Sequence, residues 1–155
     1  EEGVDVNIED EIHCRPLHWA ALRGEHGMVV MLLEKGADIE ARDWSESTPL
    51  HWAALNGHIE VIQELLARGA KIGSADTDGY TPLHAAAMQG QEDAVKLLAE
   101  NHAQLDAQDK DHWTPLFHAC HNNREATISV LLDLGAAHEV VDKRGKTPAQ
   151  VKPKK

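Results

Sequence analysis

Proline recurs at positions 16, 49, 82, 115 and 148, so every interval is 33 residues with no insertion. Around each proline the same stretch returns. It reads Arg15-Pro16-Leu17-His18-Trp19-Ala20-Ala21, then Thr48-Pro49-Leu50-His51-Trp52-Ala53-Ala54, then Thr81-Pro82-Leu83-His84-Ala85-Ala86-Ala87. Thr114-Pro115-Leu116-Phe117-His118-Ala119-Cys120 follows, and the last copy is worn to Thr147-Pro148-Ala149-Gln150. A fixed period of this size argues against one globular core. It marks a stack of units too small to bury their own apolar faces, each leaning on its neighbours.

The local chemistry of one period predicts two short helices. Asp43, Asp76, Asp109 and Asp142 open a turn, with Gly79 and Gly145 three residues on, and both residue types tolerate turn geometry. Thr48, Thr81 and Thr114 are expected to cap the first helix, with proline at its first position, where the missing N–H costs nothing. Gly24, Gly57 and Gly90, with Asn123 in the fourth copy, fit the left-handed residue that ends it. In the second helix Ile59, Ile62 and Leu66 are expected on one face, with Glu64 and Arg68 paired outside. Gly36, Gly69 and Gly135 close it; His102 stands in that place in the third copy and is expected in the same left-handed conformation.

In this frame 10–42, 43–75, 76–108 and 109–141 are complete units, and 142–155 is a partial one. Residues 1–9 read as the tail of a preceding unit, because Gly3-Val4-Asp5-Val6-Asn7 matches Gly36-Ala37-Asp38-Ile39-Glu40. The expectation is a piece of a longer array, or an array without its first cap.

The period and its motif resemble the ankyrin repeat. The resemblance covers nearly the whole chain and implies an all-α solenoid of helix–turn–helix units with projecting β-hairpin loops. In that family the Thr and the His of the motif tie adjacent loops together by hydrogen bonds. Arg15 replaces the Thr in the first copy and Phe117 replaces the His in the fourth, so looser ends are expected. The third unit carries a charge of −5, the most of any, which with His102 marks the third-to-fourth junction as the expected weak point.

Charge and composition narrow the function. The net charge is −11, which makes the array a poor partner for nucleic-acid phosphates; the short basic tail, 142–155, does not reverse that. No apolar run approaches membrane-spanning length, and no membrane association is expected. No signal peptide is visible. Cys14 and Cys120 lie three repeats apart, beyond disulfide reach, so both are expected to be free thiols in a reducing compartment, cytoplasmic or nuclear.

Motifs that look chemical are absorbed by the repeat. Asp142-Lys143-Arg144-Gly145-Lys146-Thr147 ends like a phosphate loop, but the upstream glycine is replaced by Val140. Asp76-Thr77-Asp78-Gly79 starts like a calcium loop and does not continue as one. His118 and His121, with His112 and Cys120 nearby, are a candidate metal cluster, but only two of them clearly share a helix face and zinc wants three or four ligands. No metal, cofactor or catalytic residue is therefore expected.

The resemblance implies a protein or peptide partner on a concave face built from loop tips and first-helix ends. In this chain those positions give Trp44, Ser47, Leu55, Asn56, Asp78, Tyr80, Met88, Gln89, Asp111, Trp113, His121 and Asn122 as partner-binding residues. Trp44, Tyr80 and Trp113 are aromatics on turns, the residue types that anchor interfaces. Trp19 and Trp52, on the helix itself, are expected to pack between repeats. The partner is expected to present Lys or Arg, and the free chain to be a monomer. The alternative reading is a regulatory or substrate-recruiting segment of a larger enzyme or channel.

Overall fold

The computed structural model describes residues 3–153 and 155, which form eight helices in four antiparallel pairs. The pairs are α1 (Pro16–Arg23) with α2 (His26–Glu34), α3 (Pro49–Leu55) with α4 (Ile59–Ala67), α5 (Pro82–Gln89) with α6 (Glu92–Glu100), and α7 (Pro115–His121) with α8 (Glu125–Asp133). A single 3₁₀ turn at Pro148–Gln150 stands where a fifth pair would start. The first helices pack in a row, α1 on α3 on α5 on α7, and the second helices lie in a parallel row behind them.

The core runs the length of the stack between the two rows. Leu17, Leu50, Leu83 and Leu116 fill equivalent places in it, and the small residues Ala20–Ala21, Ala53–Ala54 and Ala86–Ala87 let the first helices approach closely. In α4 the buried residues are Val61, Ile62 and Leu65, while Ile59 and Leu66 are half-buried at the edges. The apolar arc is therefore wider than the face drawn from Ile59, Ile62 and Leu66, because α4 touches α3 below and α2 and α6 on either side. Glu64 and Arg68 do pair on the outside, at 2.6 Å.

The turn before each first helix is built on one carboxylate oxygen. Asp43 Oδ1 accepts from the backbone N–H groups of Ser45 and Ser47 at 2.8 and 3.0 Å, and Asp10, Asp76, Asp109 and Asp142 repeat the arrangement. The fourth residue of this turn is left-handed throughout: Gly79 and Gly145, but also His13, Glu46 and His112 at φ 58°, 62° and 62°. No strand forms among the described residues, so the projecting loops are tight turns rather than β-hairpins. Two bonds close each turn, as Asp43 N–H to Ser47 O and Glu46 N–H to Asp43 O, and no paired residues remain for a strand.

Three sets of bonds join neighbouring repeats. Loop tips are linked by one main-chain bond per junction: Trp44 N–H to Ile12 O, Thr77 N–H to Ser45 O, Lys110 N–H to Asp78 O, and Lys143 N–H to Asp111 O. At the other end, His58, Gln91 and Arg124 reach back 36 residues to the carbonyls of Leu22, Leu55 and Met88. They lie over Gly24, Gly57 and Gly90, where a Cβ would collide with them. Between these, His51 Nε2 donates to Tyr80 O at 2.7 Å and His84 Nε2 to Trp113 O at 2.9 Å, with His18 Nε2 on Ser47 O at 3.1 Å.

These histidines have one tautomer. A carbonyl only accepts, so Nε2 carries the proton, and Nδ1 accepts from the N–H of the residue before the proline, at 3.0 Å in Thr48–His51. Burial is the main reason that His18, His51 and His84 all titrate below the usual imidazole range, His84 at about 4. The Arg15 N–H does for His18 what Thr48 does for His51, and the Arg15 guanidinium pairs with Glu9 at 2.8 Å. The first repeat therefore keeps its histidine link. The fourth does not, because Phe117 has no ring nitrogen, and the Thr114 hydroxyl makes no cap bond to α7. The missing histidine link lies one junction beyond the one expected to be weak.

Candidate partner-binding face

The loop tips and the exposed side of the first-helix row form one face. Its aromatics differ in how much of them is committed internally. Trp44 is 64% exposed, its indole makes no hydrogen bond among the described residues, and its backbone N–H donates to the preceding tip. Tyr80 is half-buried, stacked 6.0 Å from His84 and edge-on to His118 at 4.9 Å. Burial raises its phenol, and the carboxylates of Asp109 and Asp78 add to the effect. Trp113 is also half-buried: it stacks on Phe117 at 5.8 Å, meets His118 and His121 edge-on, and donates its indole N–H to Asp142 Oδ2 at 3.1 Å. It binds its own chain across the last junction, where the histidine link is missing.

The remaining sequence-derived positions are spread along the same face. Leu55 and Met88 are half-buried and share one cleft with Tyr80 and Ser47. Ser47 is 8% exposed, its hydroxyl 3.0 Å from that of Ser45. Asn56, Asp78, Gln89 and Asp111 are exposed, and Asn122 is half-buried with its amide on His118 O. His121 Nδ1 donates to Lys152 O at 3.0 Å, so the basic tail at Lys152 lies against the end of the face.

Two clefts cut this face on either side of Trp52. One, of about 60 Å³, lies among Ile12, Trp19, Leu22, Trp44 and Trp52, with Cys14 and His18 behind them. The other, of about 140 Å³, lies among Ser45, Trp52, Leu55, Asp76, Tyr80, Ala85 and Met88. Trp19 and Trp52 each donate an indole N–H to the turn aspartate of their own repeat, Asp10 at 3.0 Å and Asp43 at 2.8 Å. Trp52 packs partly on the core as expected, whereas Trp19 is 38% exposed. The partner-binding residues drawn from the sequence leave out the cleft residues Trp52, Asp76 and Ala85, although Trp52 and Ala85 lie one turn before Leu55 and Met88 on the same helix face. Their signal is nevertheless present in the sequence: Ala85 stands in the column otherwise held by Trp19, Trp52 and His118.

The candidate metal cluster is divided among other tasks. His118 is buried against Asp109, Nε2 to Oδ2 at 2.7 Å, while His112 occupies the left-handed place in its turn. Burial alone would raise the Asp109 carboxyl, but hydrogen bonds from His118 and from the Trp113 and Asp111 N–H groups outweigh it and hold it low. No group of three or more His, Cys, Asp or Glu side chains suited to a cation occurs among the described residues. Both cysteines are unpaired. Burial pushes Cys14 up to about 11, with Asp43 and Asp10 adding to it, and burial raises Cys120 as well, so neither is a thiolate at neutral pH. No helix among the described residues is long and apolar enough to cross a membrane.

A family model described as ankyrin repeats (3 copies) matches residues 2–76 and again 68–142, which together span most of the chain. Comparison with curated proteins gave no match.

Proposed function

Because the chain belongs to the ankyrin repeat family, whose members are generally protein–protein interaction modules, we propose that it binds a protein or peptide through the face of loop tips and first helices, without chemistry of its own. The observation that carries this reading is Trp44. A 64% exposed indole that lines an apolar cleft has no hydrogen bond among the described residues to explain it, and aromatic side chains in such places anchor interfaces. His51 and His84 are engaged as links between repeats, and both thiols are protonated, which leaves no activated nucleophile among these four.

The partner in this reading presents Lys or Arg, because the chain carries −11 and Asp78 and Asp111 stand exposed at the tips. The same charge opposes self-association, so the free chain is a monomer. The unpaired cysteines fit a reducing compartment, the cytoplasm or nucleus. Peptides selected from a random library on the immobilised chain test the surface. Trp44→Ala, Leu55→Ala and Met88→Ala should weaken them about tenfold or more, while Glu60→Ala and Gln63→Ala, on the outer helix, leave them unchanged. Selected peptides that bind all five variants alike would place the interface elsewhere.

A further inference from the structure

Each of the five turn aspartates uses Oδ1 to hold its own turn, which leaves Oδ2 for another donor. Asp10 receives the Trp19 indole, Asp43 the Trp52 indole, Asp109 the His118 imidazole, and Asp142 the Trp113 indole together with Arg144. Asp76 is the exception. Its Oδ1 holds Asp78 and Tyr80, and among the described residues its Oδ2 has no hydrogen-bond partner. The residue that would supply one is Ala85, the only alanine in a column of Trp19, Trp52 and His118. The 140 Å³ cleft lies where that ring is missing, bounded by Ala85 and Asp76, with Trp52, Leu55, Tyr80 and Met88 as its walls.

We propose that this cleft takes a tryptophan side chain of the partner, its indole N–H donated to Asp76 Oδ2. The proposal rests on the concave-face reading and names one anchor within it. The neighbouring repeats supply the template: in three of them a flat heteroaromatic ring with one N–H fills the same place and meets the same oxygen. The walls are chiefly carbon, which suits the body of an indole. The single open acceptor matches a single donor. A guanidinium or an ammonium would enter with several N–H groups and leave most of them unpaired against apolar walls, at a desolvation cost.

The test is a titration of the ¹⁵N-labelled chain with N-acetyltryptophanamide, followed by amide chemical shifts. Saturable shifts are expected at Leu55, Asp76, Ala85 and Met88. The 1-methyltryptophan analogue, which lacks the N–H, should bind about fivefold more weakly, as should N-acetylargininamide. Ala85→Trp should fill the cleft from within and abolish the shifts. Ala85→His, which copies the ring that His118 places in the next repeat, is the second variant if the larger ring disturbs the fold. Shifts that are absent, that persist in both variants, or that are stronger with the arginine amide would overturn the proposal. If library peptides still lose affinity with Trp44→Ala while ignoring Ala85→Trp, the tryptophan anchor fails and the concave face stands. If they ignore both, the face itself is wrong.

Discussion

The hydroxyl of Thr114 is buried without a hydrogen-bond partner among the described residues, because Phe117, three residues on, has no ring nitrogen to meet it. In the two preceding repeats the same hydroxyl lies 2.8 and 2.9 Å from a histidine Nδ1 and caps the helix. One substitution should therefore have opposite signs in two repeats. Thr114→Val removes an unsatisfied polar atom and should stabilise by about 1 kcal/mol, whereas Thr81→Val breaks a cap and should destabilise by about 1 kcal/mol. Denaturant midpoints of the two variants check this, and a shift in the same direction for both would refute it.

His102 has φ 68° at the place where Gly36, Gly69 and Gly135 have 90°, 90° and 96°. Its backbone is strained as a side chain at positive φ must be. His102→Gly should raise stability by about 1 kcal/mol, the relief exceeding the entropy that glycine adds to the unfolded chain. Urea melts showing an equal or lower midpoint for the glycine variant would contradict this.

Acid should weaken the stack first through its buried histidines. The unfolded chain protonates its histidines near pH 6.5. Folded His18, His51 and His84 resist protonation below that, mainly through burial, so the unfolded state binds more protons in this window. Their contribution is complete above about pH 6.5 and is lost as pH falls, for His84 down to about 4. That loss should be of order 2–3 kcal/mol from His84 alone. Asp109, whose carboxyl is held low, adds its own loss only at more acid pH. Stability should hold from pH 7.5 to about 6.5 and fall from there to 4.5, and a flat profile would show that these rings are protonated without cost.

Trp44 and Trp113 should separate binding from folding. Trp44→Ala should change stability by less than about 0.5 kcal/mol, because its ring is exposed and makes no hydrogen bond among the described residues. Trp113→Ala loses the Phe117 stack and the Asp142 bond and should cost about 2 kcal/mol or more. Thermal melts distinguish them; equal losses would mean that Trp44 is also structural.

Association with a basic peptide should slow as salt rises, since the chain carries −11 and its tips expose Asp78 and Asp111. Stopped-flow rates at low and high ionic strength report it directly. A rate indifferent to salt would remove the basic-partner expectation.

The period in the sequence is enough to place the helix pairs, because proline, threonine and glycine mark most ends of the first helices and glycine most ends of the second by local chemistry alone. The left-handed His102 is legible for the same reason. What cannot be read from one repeat is anything formed by two. Trp113 resembles a free turn aromatic because the residue that occupies it, Asp142, lies 29 positions away. Thr114 resembles a cap because its failure depends on the ring at Phe117. The cleft beside Ala85 is an absence, visible only when the same position is compared across repeats and the oxygen of Asp76 is found without a donor.

At each junction between loop tips one main-chain N–H meets one carbonyl, and at Thr77 the side-chain hydroxyl adds a second bond to the same carbonyl. Such a rung is indifferent to which side chain stands on it, provided that residue is not proline. Trp44, Thr77, Lys110 and Lys143 occupy the same rung position with an aromatic ring, a hydroxyl and two ammonium groups. Spacing and lettering are thus held by separate parts of the molecule. At these rungs the face can be rewritten one residue at a time, as type is reset in a fixed frame, without renegotiating the fold beneath it.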